Sequence, residues 1–300
     1  MMKQQSKNDE PRIGRYIDPK TDFGFKFIFS GAEPSREILI EFLNSLLDGR
    51  RHIRELAYGP TEHLGDTAEQ KKVIFDLRCR ADDDAEIIIE MQRMNHRNFH
   101  ERVVFSIGRL LSAQYPKGAE YWDFDLPEIY FIGILEFRMD DQEREHYIKN
   151  IMLTVKETHA TFYDKLTFIF LELPNFAKTG AEIETDIDRW FWLLNNLSRA
   201  SKIPAFMNKG IFSKVFKISE VSKLKKEEKM AYEASLQDKW LWDSALSLAA
   251  ERAARVADEK ARQEAREEKL DMAREMKNEG ISNKQTAKFT KLPIELIEKL

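Results

Sequence analysis

The stretch Lys72–Gln92, KVIFDLRCRADDDAEIIIEMQ, decides the fold that the sequence predicts. Successive side chains of a β-strand point to opposite faces, and apolar residues occupy alternate positions on both sides of the acidic run Asp82–Asp84. The pattern predicts a β-hairpin with one buried face. That face comprises Val73, Phe75, Leu77 and Cys79 on the first strand and Ile87, Ile89 and Met91 on the second.

The register of the hairpin follows from these two apolar sets. Paired residue numbers must add to an even number, because a slip of one residue would bury Glu90 beside Phe75. A three-residue loop over Asp82–Asp84 meets this condition, and Asp tolerates the left-handed conformation that such loops need. Asp76 then lies opposite Glu90. The other predicted pairs on this face are Arg80 with Glu86, Arg78 with Ile88 and Ile74 with Gln92.

The predicted pairing of Asp76 with Glu90 has an electrostatic consequence. Two carboxylates roughly 5 Å apart, at an effective dielectric constant of about 20, repel each other by about 3 kcal/mol. A bound divalent cation would make their closeness favourable. Alternatively, this is the solvated face of a half-buried antiparallel sheet, where Arg78 and Arg80 neutralise the acids. The spacing alone leaves both interpretations open.

The composition indicates a folded chain whose overall charge does not favour nucleic-acid binding. With 300 residues, of which 42% are hydrophobic and 11% aromatic, it can form one large domain or a medium domain with an appendage. Its formal net charge is -4 and its pI is near 6.0. Any binding of nucleic acid must therefore use local basic patches.

Two features favour the cytoplasm. The single cysteine, Cys79, cannot form an internal disulfide, which suits a reducing compartment, and it falls on the predicted buried face. The first residues, MMKQQSKNDEPR, lack the apolar core of a secretion signal, and no apolar run approaches the length of a membrane span. We therefore expect a soluble cytoplasmic protein without membrane contacts.

Helices and further strands are predicted on both sides of the hairpin. The aromatic segment Ile17–Phe29 should pack on the core, and apolar residues at helical spacing follow Pro34 and end before Gly49. Nearly continuous apolar runs indicate buried strands. In chain order we expect a helix after Pro34, a first strand within 53–61, the hairpin, a helix within 95–115, a strand within 127–137, a strand over 165–173 and a helix over 186–197.

The composition changes in the C-terminal part of the chain. From Val221 to about Asn278, Glu, Lys, Arg and Ala dominate without Pro or Gly, which predicts a long charged helix or coiled coil. Breaks at Gly280 and Pro293 then indicate two short helices, as in a helix-turn-helix. The second offers two acids and one base, Lys299, which favours packing or partner binding over base reading. The predicted domains are 1–219, 220–279 for the long helix and 280–300 for the tail.

The hairpin acids are the strongest catalytic candidates. The sequence has no Gly-rich phosphate loop after a strand and no Gly-x-Ser-x-Gly motif, and one cysteine cannot build a thiolate zinc cluster. His96 and His100 have a helical ligand spacing, but Arg97 replaces the Glu of the zinc-protease pattern. Asp76 and Glu90 offer oxygen ligands, which suit Mg²⁺ or Mn²⁺ and hence phosphodiester hydrolysis.

Five segments carry a resemblance to known nucleases. They are TDFGFKFIF at Thr21–Phe29, FLNSLL at Phe42–Leu47, VIFDLRC around Asp76, IIIEMQR at Ile87–Arg93 and the C-terminal KNEGISNKQTAKFTKLPIELIEKL. The order of helix, strand, hairpin with Asp and then Glu-x-Gln, helix and strand resembles the PD-(D/E)XK nuclease core. More closely, nearly the whole chain resembles the Rpn family of recombination-promoting nucleases, which are also described as transposases.

The resemblance implies a restriction-endonuclease-like α/β fold, with a mixed sheet flanked by helices. It also implies a metal-dependent endonuclease that cuts double-stranded DNA in recombination or in mobile elements. The family's metal ligands, which bind Mg²⁺ or Mn²⁺, map onto Asp76, Glu90 and the backbone carbonyl of Met91. The family's catalytic Lys maps onto Gln92, which could position the attacking water. Asp22 matches a further characteristic acid, which acts either near the metal or in packing.

The replacement of Lys by Gln92 leaves two questions open. Gln is neutral, so Lys72 or Arg78, which lie on the face of Asp76 by parity, could supply part of the missing positive charge. The competing function is a non-hydrolytic DNA-binding or scaffolding protein that keeps the nuclease architecture. In either case the long helix could form a homodimer or engage DNA.

Overall fold

A six-stranded mixed sheet organises the first of the two compact units of the chain, Met1–Leu236 and Gln237–Leu300. The computed structural model describes residues 13–63, 73–114, 125–140 and 144–300. The strands are β1 (Leu56–Tyr58), β2 (Glu62–His63), β3 (Val73–Ile74), β4 (Leu77–Ala81), β5 (Glu86–Gln92), β6 (Ile129–Leu135), β7 (Ile148–Thr154) and β8 (Thr161–Glu172). The large sheet has the order β1-β4-β5-β6-β8-β7, and β2 and β3 form a separate pair.

The strand directions make the large sheet mixed. β5, β6 and β8 run parallel to one another, whereas β4 is antiparallel to both β1 and β5, and β7 is antiparallel to β8. A parallel neighbour needs a crossover, and α3 (Phe99–Ala113) lies between β5 and β6 in the chain. The α/β class predicted from the sequence is confirmed. β7 is an additional strand that was not predicted from the sequence.

Helices flank the sheet. Those before β1 are α1 (Asp22–Phe29) and α2 (Ser35–Leu46), and those after β8 are α4 (Asp186–Asn196) and α5 (Gly210–Ile218). The chain then continues in α6 (Lys226–Asn278). The predicted long charged helix is therefore present as α6. Two short helices, α7 (Asn283–Thr290) and α8 (Ile294–Ile297), follow it, as the breaks in the sequence predict.

The sheet is buried on both faces by two separate apolar clusters. On one face Ile87 and Ile89 of β5 join the buried side chains of α1, α2, α4 and α5. On the other face Ile88 joins buried residues of α3, together with Phe131 of β6 and Phe170 of β8. Because adjacent side chains of β5 enter opposite clusters, the face that carries Glu86 and Glu90 is covered by a helix along much of its length.

The hairpin has the predicted register. The Cα partners run from Leu77 with Ile89 to Arg80 with Glu86, and Asp84 in the connecting loop has a positive φ of 64°. Left-handed backbone is common for Asp in such loops, which explains the three-residue connection. The buried position of Cys79 is also as predicted.

The first strand of the hairpin departs from the prediction at Asp76. Ile74 pairs with Glu62 in the small sheet, so the predicted pair of Ile74 with Gln92 is wrong. The pairing of β4 with β5 begins at Leu77, so Asp76 is not the strand partner of Glu90 that the parity argument predicts. Phe75 joins the α3 cluster instead of the cluster that contains Leu77. The reason is a bend between the two short strands, where the Phe75 amide donates to the carbonyl oxygen of Thr61 at 2.9 Å and the alternation of side chains is interrupted.

The second unit contains most of α6 with α7 and α8. Near its C-terminal end α6 contributes the buried Ala273, while α7 and α8 contribute Thr286, Thr290 and Ile297. Lys277 Nζ donates to the carbonyl oxygen of Ile297 at 3.0 Å, which ties α8 to the end of α6. Within the part of the chain that the structure describes, every helix is either too short or too polar to span a lipid bilayer.

Candidate metal centre

Asp76 lies at the bend that precedes β4, and β5 fixes its carboxylate. Asp76 Oδ2 accepts a hydrogen bond of 2.8 Å from the backbone amide of Met91. Burial raises the pKa of Asp76, and the Met91 hydrogen bond opposes this shift because it stabilises the ionised form. Because of this bend, the carboxylate of Asp76 is directed toward the end of β5.

Glu90 is the second carboxylate, one residue before Met91 on β5. Gln92 Nε2 donates a hydrogen bond of 2.6 Å to Glu90 Oε2. Burial and the neighbouring charge of Asp76 raise the pKa of Glu90 to about 7. Within the described residues Glu90 makes no ion pair, and the positive charge of Arg102 on α3 offsets only part of the repulsion between the two acids.

A glycine lies beside Glu90 on the neighbouring strand. Gly133 of β6 is the Cα partner of Glu90. A Cβ atom at this position would lie 2.7 Å from the Phe170 ring, so a larger residue would force the ring to move. The glycine thus permits close packing of Phe170 while no side chain from β6 covers the carboxylate.

The start of α1 lies beside Asp76. Thr21 caps the helix by accepting a hydrogen bond of 3.0 Å from the Gly24 amide. Asp22, the first residue of α1, forms an exposed ion pair of 2.7 Å with Lys26, which lies one turn further along the helix. Both charges act on Asp76, where Lys26 lowers the pKa and Asp22 raises it. The structure therefore brings α1 close to the hairpin acids.

Most of the predicted site residues are brought together. Asp76, Glu90, Met91 and Gln92 are linked by the two hydrogen bonds above, and Asp22 is near enough to influence Asp76. Sequence reasoning missed Lys26 as a charge near the site. Its position four residues after Asp22, on one face of a helix, was the available signal.

The two cations proposed to replace the family Lys are placed differently. Lys72 lies outside the described residues. Arg78 Nε donates to Glu86 Oε2 at 2.8 Å, and Arg80 binds the other oxygen of Glu86. These arginines therefore neutralise Glu86, at the opposite end of β5 from Glu90.

The donor set of the site is compatible with a hard divalent cation. Two carboxylates and the Met91 carbonyl would provide three oxygen ligands, the type that Mg²⁺ and Mn²⁺ prefer, and open positions would remain for water or phosphate. Groups of three or more His, Cys, Asp or Glu side chains with metal-binding geometry are not found among the described residues. Any metal held here would therefore have few ligands from side chains.

The mixed sheet, the hairpin with Asp and then Glu-x-Gln, and the helix beside them define a protein with a PD-(D/E)XK nuclease-like fold. The sequence model of the family described as PD-(D/E)XK nuclease family transposase matches residues 19–251, and the chain belongs to this family. The matched range contains every candidate site residue. No curated protein and no solved structure matches the chain. Membership supports a nuclease-like or transposase function with DNA as the substrate.

Proposed function

We propose that the protein is a Mg²⁺- or Mn²⁺-dependent endonuclease that hydrolyses phosphodiester bonds of double-stranded DNA. The observation that carries this proposal is the hydrogen bond of 2.8 Å from the Met91 amide to Asp76, which places one half-buried carboxylate next to the residue that follows Glu90. The charge of Asp76 also helps to raise the pKa of Glu90 to about 7. Such an arrangement is unfavourable in the absence of a cation, and perturbed carboxylates of this kind are typical of functional sites.

Asp76, Glu90 and the Met91 carbonyl would hold the cation. When bound, the cation would polarise a phosphate oxygen and lower the pKa of a water molecule. The Met91 amide already orients Asp76, so this ligand needs little rearrangement. Gln92 donates through Nε2 to Glu90, which leaves its amide oxygen as the acceptor that could orient the attacking water.

Asp22 and Lys26 would act from α1. Lys26 lowers the pKa of Asp76, so its positive charge favours the ionised carboxylate that a metal requires. Asp22 is exposed and paired with Lys26, and we propose that it contributes to the site either by holding this lysine or as an additional acid near the metal. Comparing Asp22→Asn with Lys26→Met distinguishes these roles, because only the second role predicts that Asp22→Asn weakens Mn²⁺ binding more than Lys26→Met does.

The proposal also covers the domains of the chain, its assembly and its location. We assign the nuclease domain to residues 1–219, the long helix to 220–279 and a helix-turn-helix-like tail to 280–300. In this scheme the helix forms a homodimer or engages DNA, and the protein acts in the cytoplasm on recombining DNA or mobile elements. Sedimentation of the full chain tests the dimer, since a monomer at micromolar concentration would contradict it.

A plasmid assay tests the proposed hydrolysis. Supercoiled DNA is incubated with the full-length protein and Mg²⁺, beside Asp76→Ala and a matched control, Asp48→Ala, at an exposed turn after α2. We expect nicking by the wild type and by the control, and a loss of about 10³-fold for Asp76→Ala, because metal-assisted catalysis contributes several kcal/mol.

Two other results would count against the proposed hydrolysis. Equal nicking by all three proteins would indicate a contaminating nuclease, and no nicking by any of them would favour a non-hydrolytic DNA-binding or scaffolding protein. Gln92 is the observation behind that alternative, because it replaces the charged residue of the family pattern. Anomalous scattering from Mn²⁺ at Asp76 and Glu90 would support the metal site independently of any substrate.

A further inference from the structure

A second group of charges surrounds Glu136, immediately beside the candidate metal centre. Glu136 follows β6, and its backbone amide donates a hydrogen bond of 2.9 Å to the carbonyl oxygen of Gln92. Glu136 Oε2 lies 3.3 Å from Lys20 Nζ, and Glu136 Oε1 lies 3.4 Å from Arg93 Nε. The three side chains are partly buried, with exposed fractions of 16% for Lys20, 24% for Arg93 and 17% for Glu136.

The backbone fixes all three residues near the hairpin acids. Arg93 directly follows Gln92 at the end of β5, and Glu136 is joined to the same strand end. Lys20 precedes the capping residue of α1 in a turn organised by Asp18. Asp18 Oδ1 accepts from the Lys20 amide at 3.0 Å, and the Asp18 carbonyl accepts from Thr21 Oγ1 at 2.8 Å. The cluster is therefore built from the segments that also frame the metal centre.

The charges of this cluster suit a phosphate group. Two of the three side chains, Lys20 and Arg93, are cations, and both contact the carboxylate of Glu136. Their contacts are longer than the 2.7–2.9 Å that is usual for charge-assisted hydrogen bonds. A phosphodiester carries one negative charge and two non-bridging oxygens, which match an ammonium group and a guanidinium fork.

We propose that Lys20 and Arg93, positioned by Glu136, bind the DNA phosphate next to the one that is cut. This inference rests on the proposed function, because that function supplies DNA as the ligand. It also accounts for the neutral Gln92, since positive charge would reach the backbone from these two residues. The competing explanation is an ion-pair network that only braces the turn before α1 against the sheet.

The salt dependence of DNA binding separates the two explanations. Removing one cation that binds a phosphate of B-DNA reduces the slope of log K against log salt concentration by about 0.9. We would measure binding of a fluorescein-labelled duplex by anisotropy in the full-length Glu90→Gln protein, in Ca²⁺ and at several KCl concentrations. This background prevents turnover, so affinity is read without cleavage.

The expected results concern four variants and one control. Lys20→Gln and Arg93→Gln should each reduce the slope by about 0.9, whereas Lys20→Arg and Arg93→Lys should retain it. Lys214→Gln is the matched control, because Lys214 pairs with Glu37 at 2.6 Å on an exposed surface of α2 and α5 and its loss removes the same charge. Thermal melts identify misfolded proteins, and Lys20→Met, which keeps the apolar stem, replaces Lys20→Gln if that variant does not fold.

Several outcomes would overturn the inference. If the slopes of the Lys20 and Arg93 variants equal that of Lys214→Gln, these two residues only brace the turn before α1. The same conclusion follows if the protein does not bind the duplex at low salt. Failure of the proposed hydrolysis is distinguishable from this. A plasmid that remains uncut while the slopes fall contradicts the endonuclease and supports the phosphate contacts, and a plasmid that is cut while the slopes stay unchanged gives the opposite conclusion.

Discussion

Glu86 and Glu90 are the same residue type, on the same face of β5, only four positions apart, yet their surroundings differ in charge. Glu86 is 2% exposed and is bound by Arg78 and Arg80, which hold its pKa below the usual range despite burial. Glu90 is half-buried, faces Asp76 and has a raised pKa. One end of the strand carries a satisfied ion pair, and the other carries charge that is only partly compensated.

The difference shows that the two ends of one strand can differ in how well their charges are compensated. Register alone places Arg80 opposite Glu86, so the neutralised end is a local consequence of the hairpin. At the other end Asp76 adds a like charge near Glu90, and a compensating cation has to come from outside the hairpin. We interpret the neutral end as structural and the charged end as the functional part of the strand.

The largest effect on stability is expected from Glu86→Gln. Removing this carboxylate breaks the pairs that the buried Glu86 forms with Arg78 and Arg80, and breaking a buried ion pair destabilises a protein by about 3 kcal/mol. Glu90→Gln is the matched comparison and should leave stability unchanged or increased in EDTA, because it removes a repelled charge. Urea unfolding of both variants measures the difference. Equal destabilisation by the two would abolish the contrast between the ends of β5.

The pH dependence of stability is the next effect in size. The pKa of Glu90 is raised from 4.5 to about 7 in the folded protein, so the folded state binds the additional proton. Its contribution is therefore fully present below about pH 4.5 and is lost as the pH rises through 7. In EDTA, stability should fall by about 2 kcal/mol between pH 5 and pH 8 for the wild type relative to Glu90→Gln. Unfolding curves across this range test it, and parallel profiles of the two proteins would show that Glu90 does not titrate there.

The smallest effect is expected from Gln92→Lys, which makes the Glu90 end resemble the Glu86 end. A positive charge next to Glu90 should lower its pKa and stabilise the metal-free protein by about 1 kcal/mol at pH 8. Unfolding in EDTA measures this change, and the same protein tests whether the family pattern is compatible with cleavage. A loss of stability at pH 8 would mean that the site has no room for the longer cation.

Some features of the fold could be read from the sequence, and others could not. The register followed from parity, because a strand with one buried face tolerates no slip of one residue. The bend at Asp76 could not be foreseen, since apolar alternation continues through Val73, Phe75 and Leu77. It depends on the hydrogen bond from the Phe75 amide to Thr61 and on the contact of Asp76 with Met91, which join separate segments. β7 was not predicted because Ile151, Met152 and Leu153 are consecutive apolar residues without alternation. In the structure all three are partly exposed.

By itself, the sequence determined the class of fold, the hairpin register and the identity of the acids, because alternation and ligand chemistry are local properties. Beyond the pair of Arg80 with Glu86, only the tertiary structure decided which charges meet. It assigned Arg78 to Glu86, placed Lys26 near Asp76, and joined Lys20, Arg93 and Glu136 from three distant segments. Coulomb interactions depend on distance in space, and folding sets that distance independently of separation along the chain.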